Sequence, residues 1–158
     1  MQPILATADH LAIVADIVRG TIRAVYPAYY PPGAVDFFLA YHSNASIRAA
    51  IARSEVYLFE EGGAFVATGS VEGKTLTRLF VRPEHQGKGY GSRIMDFLEG
   101  VAFRAHDEAR LDASLPAVGM YLKRGYWIQE YCRKPVPQGQ FLCYFDMRKQ
   151  RPGEVGAP

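Results

Sequence analysis

The sequence predicts an α/β domain of the α+β kind: one mixed, mostly antiparallel sheet of six to seven strands, flanked by about four helices. Three observations carry this. The apolar period is helical up to about residue 54 and strand-like from residue 55. Three strand-like runs then follow one another with only hairpin punctuation between them. After them, helices and strands alternate, so the full order is strand, helices, three strands, helix, strand, helix, two strands. The 158 residues fit a single domain, and a chain of this length buries roughly 70% of the surface that its unfolded form exposes.

Each element has its own signal. "PILAT" is a short strand, after which Thr7 or Asp9 can cap a helix that recurs at Leu11, Val14, Val18, Ile22 and Val25. The run stops at "YPAYYPPG", a stiff aromatic connection, and "AVDFFLAYHSNASIRAAIAR" resumes as one or two helices with a break near Ser43 and Asn44. "EVYLFEE", "AFVATGSVEG" and "KTLTRLFVRPE" are rich in Val, Phe, Tyr and Thr and are separated by Glu-Gly-Gly and Glu-Gly-Lys. A helix follows with Ile94, Leu98, Val101 and Ala105 on one face, then the strand "ARLDA". Ser114 can cap the next helix, with Pro116 in its first turn and Gly125 at its end. "YWIQEYCRK" and "QFLCYFDMRK" form a closing hairpin around "PVPQG". The domain is expected over residues 1–148, with a disordered tail over 149–158. There are no internal repeats and no linker-like break.

Composition narrows the function classes. Hydrophobic residues make up 49% and charged residues 22% of the chain, which are globular values. A net charge of +2 without a clustered basic patch argues against a nucleic-acid or membrane partner. Cys132 and Cys143 have no metal-ligand spacing and read as packing residues in strands, so no metal is expected. The first twenty residues lack a basic leader and carry Asp9 and Asp16 within their apolar run, so a soluble cytoplasmic protein is expected.

The chemistry concentrates in "RPEHQGKGYGS", where Gly87, Gly89 and Gly91 stand between a strand and a helix. A glycine turn entering a helix aims several backbone N–H groups and the positive end of the helix dipole at one point, which is an anion site. Lys88 adds a cation, and Ser92 a hydroxyl. A nucleotide P-loop requires G-x-x-x-x-G-K-[ST], whereas Gly87-Lys88 is followed here by Gly89. A dinucleotide fingerprint fits Gly87 and Gly89, but Ser92 takes the third glycine position and Pro83 to Gln86 intervene after the strand. Asp112, near the end of the next strand, keeps that second reading open, although three antiparallel strands upstream match a doubly wound sheet poorly.

Gln86 to Gly91 also has the form Q-x-x-G-x-G, and with "LFVRPEH" before it the segment resembles the acetyl-CoA motif of the GNAT superfamily of N-acetyltransferases. "LDASLPAVGMYLKRGYW" resembles that family's later segment, with Ala117, Tyr121, Gly125 and Tyr126 in an A-x-x-x-Y-x-x-x-G-[FY] pattern. The resemblance extends over about residues 3–148. It implies that the backbone of Gln86, Gly87, Lys88, Gly89, Tyr90 and Gly91 holds the diphosphate of acetyl-CoA, with Ser92 at the helix start and Ser114 as a further cofactor contact. It also implies that the pantetheine arm runs beside Leu79, Phe80 and Val81, in a gap where their strand splays from the one carrying Leu111.

The reaction implied is direct attack of an amine on the thioester carbonyl, with a thiolate leaving. Tyr121 is placed by the resemblance to protonate that thiolate: a phenol of pKa about 10 stays protonated at neutral pH, and a thiol near 8.5 is close enough for transfer within a hydrogen bond. A packing role for Tyr121 is the alternative. An alkyl ammonium of pKa about 10.4 is neutral in only about one molecule in 2,500 at pH 7, a cost of roughly 4.6 kcal/mol, so a base is required. Many family members place a glutamate where Thr75 stands, and Glu72 reads as a solvated charge on a hairpin turn. The base is therefore unassigned, with a water relay as one candidate.

Acceptor contacts are expected from the early helices. Tyr26, Tyr29, Tyr30 and Phe37 can wall an acceptor pocket or simply pack helices on the sheet. His42 can face that pocket or be an ordinary packing histidine, and Arg78 can bind an acidic substrate or reach solvent. A small-molecule amine is the expected partner, with a protein N-terminus or lysine second and a homodimer as a family-level expectation. Loss of the glutamate also leaves open a non-catalytic acyl-CoA sensor.

Overall fold

The computed structural model describes residues 1–153. Seven strands form one sheet in the order β1-β2-β3-β4-β5-β7-β6: β1 Gln2–Leu5, β2 Val56–Glu61, β3 Ala64–Glu72, β4 Thr75–Val81, β5 Glu108–Ser114, β6 Trp127–Val136 and β7 Gln140–Gln150. Every neighbouring pair is antiparallel except β4 and β5. Five α-helices cover it: α1 Leu11–Val25, α2 Pro32–Tyr41, α3 Asn44–Ala52, α4 Tyr90–Ala102 and α5 Val118–Lys123.

The alternation of β2 divides the core in two. Val56 and Leu58 point to the α1–α3 face, where they join Val14, Val18, Ile22, Ile47 and Phe80. Phe59 points to the α4–α5 face, with Ile94, Met95, Leu98, Leu111 and Tyr121. Both faces of a mixed sheet are thereby removed from water, which accounts for central strands with little polar alternation. Glu99 is buried on α4, where it accepts from Arg124 Nε (3.1 Å) and Lys149 Nζ (2.8 Å). Arg124 also donates to Asp96 (2.7 Å), so this network ties the end of α5 and strand β7 to α4.

Several boundaries differ from the sequence reading. The helical region after "YPAYYPPG" is two helices, separated at His42 and Ser43, and Ser43 Oγ caps α3 by accepting from Ser46 N (3.2 Å). A 3-10 turn at Ala8–His10 precedes α1. Helix α4 starts at Tyr90 and buries Ile94, Met95, Leu98 and Ala102, so Val101 is only half-buried and Ala105 lies past its end. Strand β7 continues through Gln150, because Lys149 and Gln150 pair with Ala109 and Glu108, which moves the domain edge past residue 148. The expected tail otherwise falls partly on residues 154–158, outside the described residues. Cys132 and Cys143 are free thiols on β6 and β7, and Tyr131 donates its hydroxyl to Cys143 Sγ (2.9 Å). Among the described residues, no helix is long and apolar enough to cross a membrane, and no cluster of His, Cys, Asp and Glu is arranged to hold a metal ion.

His42 fills the joint between α2 and α3. It is 5% exposed and its ring stands edge-on to Phe80 at 5.3 Å. Burial, with the nearby Arg78 guanidinium, pushes its pKa down to about 3. The folded value lies below the unfolded one, so the stability contributed by the neutral ring is complete above about pH 6.5 and is lost as the pH falls toward the folded value. Urea titrations between about pH 6 and 4.5 are expected to show a slope of unfolding free energy against pH that is steeper in the wild type than in His42→Asn by up to about 1.4 kcal/mol per pH unit. Identical slopes would contradict a buried neutral ring.

Candidate active site

Strands β4 and β5 run parallel and share a single registered pair, Thr75 with Arg110, closed by a hydrogen bond from Arg110 N to Lys74 O (2.9 Å). Beyond it they diverge. The β5-side edge of β4 loses its strand partner, and its backbone polar groups face a cleft of about 580 Å³. Residues Thr75 to Val81 form one wall; Leu111, Asp112 and Ser114 of β5 stand on the other side.

A second irregularity shapes β4. Its register against β3 slips between Thr68–Phe80 and Ser70–Thr77, leaving Arg78 and Leu79 of β4 opposite Gly69 alone. This is a β-bulge, and Arg78 takes the left-handed conformation with φ +53°. A bulge re-aims side chains, and Arg78 reaches across to α3, donating from a terminal nitrogen to Ser46 Oγ (2.9 Å). Its Nε and the hydroxyl of Thr77 are buried without a partner among the described residues.

The glycine turn closes one end of the cleft. Gly87 (φ +73°) and Gly89 (φ +79°) both occupy the left-handed region, and nothing lies within 4 Å of where either Cβ would sit. Gly91 answers to a different need, since a Cβ there would stand 3.2 Å from Met120 Sδ of α5. The Gln86 side chain donates to Val81 O (2.9 Å) and so pins the turn to the end of β4. Gln86, Gly87, Gly89, Tyr90, Gly91 and Ser92 all line the cleft. Lys88 does not: its ammonium turns back to donate to Glu84 O (2.8 Å), so only its backbone belongs to the turn.

Tyr121 lines the cleft from α5 and is 7% exposed. Burial raises its pKa above the ordinary phenol value, with a small opposing effect from Arg124. Its proton therefore stays in place across the physiological range. Ser114 lines the cleft too, but its side chain makes no helix cap.

At the opposite end the lining comes from the early helices. Tyr26, Phe37, Phe38, Tyr41, His42 and Arg78 are all on it. Two tyrosines expected there are elsewhere. Tyr29 is 50% exposed and away from the cleft, while Tyr30 is buried behind Tyr26, its hydroxyl accepting from Leu115 N at 2.7 Å. Tyr30 thus holds the α1–α2 connection to the end of β5. Glu72 ends β3 as an exposed charge. Asp112 and Lys134 also line the cleft, and neither was singled out as a contact for an acceptor. The alternation in "ARLDAS" was a usable signal for Asp112, which shares a strand face with Arg110 and Ser114.

The family model for the "Acetyltransferase (GNAT) domain" matches residues 25–150. No curated protein sequence matches. Among solved structures, a GCN5-related N-acetyltransferase from Rhodopseudomonas palustris shares the fold at a TM-score of 0.85 with 22% identity, over 95% of each chain. A PaiA N-acetyltransferase from Thermoplasma acidophilum, in complex with coenzyme A, gives 0.69 with 15% identity over 95% of this chain and 98% of its own. A ribosomal-protein-alanine N-acetyltransferase from Brucella melitensis gives 0.71 with 16% identity over 96% of this chain and 100% of its own. The parted strands, the glycine turn and a family match running from Val25 to Gln150 together show that the chain belongs to the GNAT family and is an acetyl-CoA-dependent acetyltransferase.

Proposed function

We propose that the chain N-acetylates a small-molecule amine by direct transfer, with Tyr121 as the proton donor. The observation that carries this reading is the opening of β4 from β5 beyond Thr75, with the glycine turn at one end and a polar, aromatic end opposite. The turn fits the cofactor's diphosphate. Gly87 and Gly89 present backbone without side chains into open space, and the turn runs into the N-terminus of α4, where unpaired N–H groups and the helix dipole favour negative charge. The amides of Gly87 to Gly91, with Ser92, hold that diphosphate. Along Leu79, Phe80 and Val81 the unpaired strand edge offers hydrogen bonds to the pantetheine amides. Val81 O already accepts from Gln86 and from the Thr21 hydroxyl (3.3 Å), which leaves the groups before it for that work.

Bound acetyl-CoA supplies an activated acetyl carbonyl. Tyr121 gives its proton to the departing sulfur; burial keeps the phenol protonated until then but also makes it the weaker acid, so the transfer relies on the thiolate being desolvated in the same cleft. The acceptor enters from the α2 side. Asp112 is the one carboxylate among the described lining residues; its side chain is 55% exposed, and partial desolvation at the cleft wall raises its pKa against the Arg110 guanidinium at 3.5 Å. A carboxylate of raised pKa is the better base, so Asp112 is the group that takes the acceptor's proton. Ordinary solvent exchange then resets both groups.

Two outcomes test this reading. Tyr121→Phe is expected to lower the turnover of acetyl-CoA with an accepting amine by roughly 10²-fold, with coenzyme A affinity nearly unchanged. Equal turnover removes Tyr121 from the reaction, and coenzyme A binding without turnover on any amine would instead favour an acyl-CoA sensor. Gly89→Val is expected to weaken coenzyme A binding by about tenfold or more in calorimetry, because a β-branched residue resists φ +79° and would push a side chain into the diphosphate's space. An unchanged dissociation constant in a folded variant would contradict the placement of the diphosphate.

A further inference from the structure

Arg78 is an unusual guanidinium. It sits on a strained residue of a central strand, on the wall of the cleft, and among the described residues it makes no ion pair with any carboxylate. Its only side-chain hydrogen bond among them goes to the neutral hydroxyl of Ser46, and its Nε is buried without an acceptor. Arg78 is half-buried on the cleft wall with only its Nε fully enclosed, and a partly desolvated cation without a protein counter-ion is a ready partner for an anion in the cleft. Burial accordingly lowers its pKa, outweighing the opposing effects of Tyr41, Glu55 and Glu72.

The surroundings repeat the pattern. His42, a neutral ring beside Arg78, has Nδ1 buried and unpartnered, a position that can carry the ring's proton as a donor. Lys134 adds a second cation on the same lining, its ammonium 4.6 Å from the Phe37 ring centroid. Phe37, Phe38 and Tyr41 give that end an apolar wall. Asp112, the single carboxylate on the described lining, lies two residues along β5 from the Thr75–Arg110 pair, and so level in sequence register with Thr77, the neighbour of Arg78. One end of the acceptor space therefore carries two cations, Arg78 and the exposed Lys134, with Arg78 Nε and His42 Nδ1 unpartnered among the described residues, and an acid stands across the gap from it.

We infer that the acceptor is an aminocarboxylic acid: its carboxylate pairs with Arg78, supported by His42 and Lys134, while its amine faces Asp112 and the acetyl carbonyl. A planar carboxylate satisfies the guanidinium in a two-pronged pair and supplies the charge that the fold leaves out. The same donors would repel a cationic acceptor such as a polyamine or a lysine-rich peptide. This inference rests on the acetyl-transfer reading above, and adds the acceptor's chemical class to it. The transfer remains balanced: the ammonium first gives one proton to Asp112, the new amide bond replaces the thioester bond, the sulfur gains a proton from Tyr121, and the second proton shed by the nitrogen returns through solvent to the Tyr121 phenolate.

The test compares proteinogenic L-amino acids with the amines formed by removing their carboxylates, for example phenylalanine against 2-phenylethylamine, in two assays. The first follows acetyl-CoA turnover; the second is calorimetry on protein saturated with coenzyme A, which cannot react. At least one acid is expected to exceed its matched amine by about tenfold or more in kcat/KM and in affinity, and Arg78→Gln is expected to bring that ratio close to one, with Arg78→Lys in between. Because the ratio is internal to each preparation, partial misfolding of a variant cancels. An aminophosphonic analogue forms a separate arm: preference for it over the matched amino acid would assign the site to a phosphorylated acceptor and overturn the carboxylate. Turnover of amines with no preference for any acid, or a ratio unaltered by Arg78→Gln, overturns the inference while leaving acetyl transfer intact. Absence of turnover on every amine, with calorimetric preference for the acids retained, would instead sink the catalytic reading alone.

Discussion

The parting of β4 and β5 is the constraint from which the other features of the molecule follow. Parallel neighbours in a central sheet normally pair along their whole length, because a buried edge of unpaired N–H and C=O groups is expensive. Here the two strands pair once, at Thr75 and Arg110, and then separate. Such a gap persists only if the sheet is held from both sides. Strand β3 holds β4 across the bulge at Arg78, and β7 pairs with β5 from Glu108 to Ser114. Helix α4 packs Ile94, Met95 and Leu98 into the same core as Leu76 of β4 and Leu111 of β5, spanning the split from one face. The sheet thus remains one body while presenting, through its middle, a slot of mainly apolar side chains edged by unpaired backbone groups.

The slot is chemically asymmetric. At the α4 end its polarity comes from backbone, with glycine amides and a helix terminus, suited to an anion whose identity does not depend on side chains. At the α2 end polarity comes from side chains, Arg78, His42 and Lys134 against Asp112, set in an aromatic wall. A division of this kind suits a reaction in which one partner is common to a family and the other is specific to one member. Tyr121 stands on the lining from α5, close to neither terminal charge in its sequence position but fixed by burial and by its packing against Tyr126 at 5.7 Å. The Glu99 network with Arg124 and Lys149 fixes α5, and hence Tyr121, relative to α4.

The order of elements was legible in the sequence because each signal there is local. Gly-Gly and Gly-Lys turns separate β2, β3 and β4, and three prolines stop α1 before α2. The glycine turn was legible for the same reason, since Gly87 and Gly89 stand where φ must be positive. Gly91 belongs to the same glycine pattern but serves the close approach of Met120, a contact between helices that no local pattern reports. The bulge was hidden within β4: the glycine at it, Gly69, stands on the partner strand β3, and on the bulged strand Arg78 takes on the strain. The tyrosines of "YPAYYPPG" show the limit most clearly. A turn of 3-10 helix at Tyr26–Ala28 sends three similar side chains in three directions, Tyr26 to the cleft, Tyr29 to solvent and Tyr30 to the end of β5. Lys88 likewise follows its own turn back to Glu84, a path that charge alone could not foretell.

The most direct measurement of the central claim is the amide spectrum of isotopically labelled protein titrated with coenzyme A. The account predicts that the largest shifts fall on Gly87 to Ser92 and on the strand edge from Leu79 to Val81, on both sides of one opening. A titration that left those amides unmoved while others shifted would contradict the account, because the parted strands would then not be where the cofactor sits.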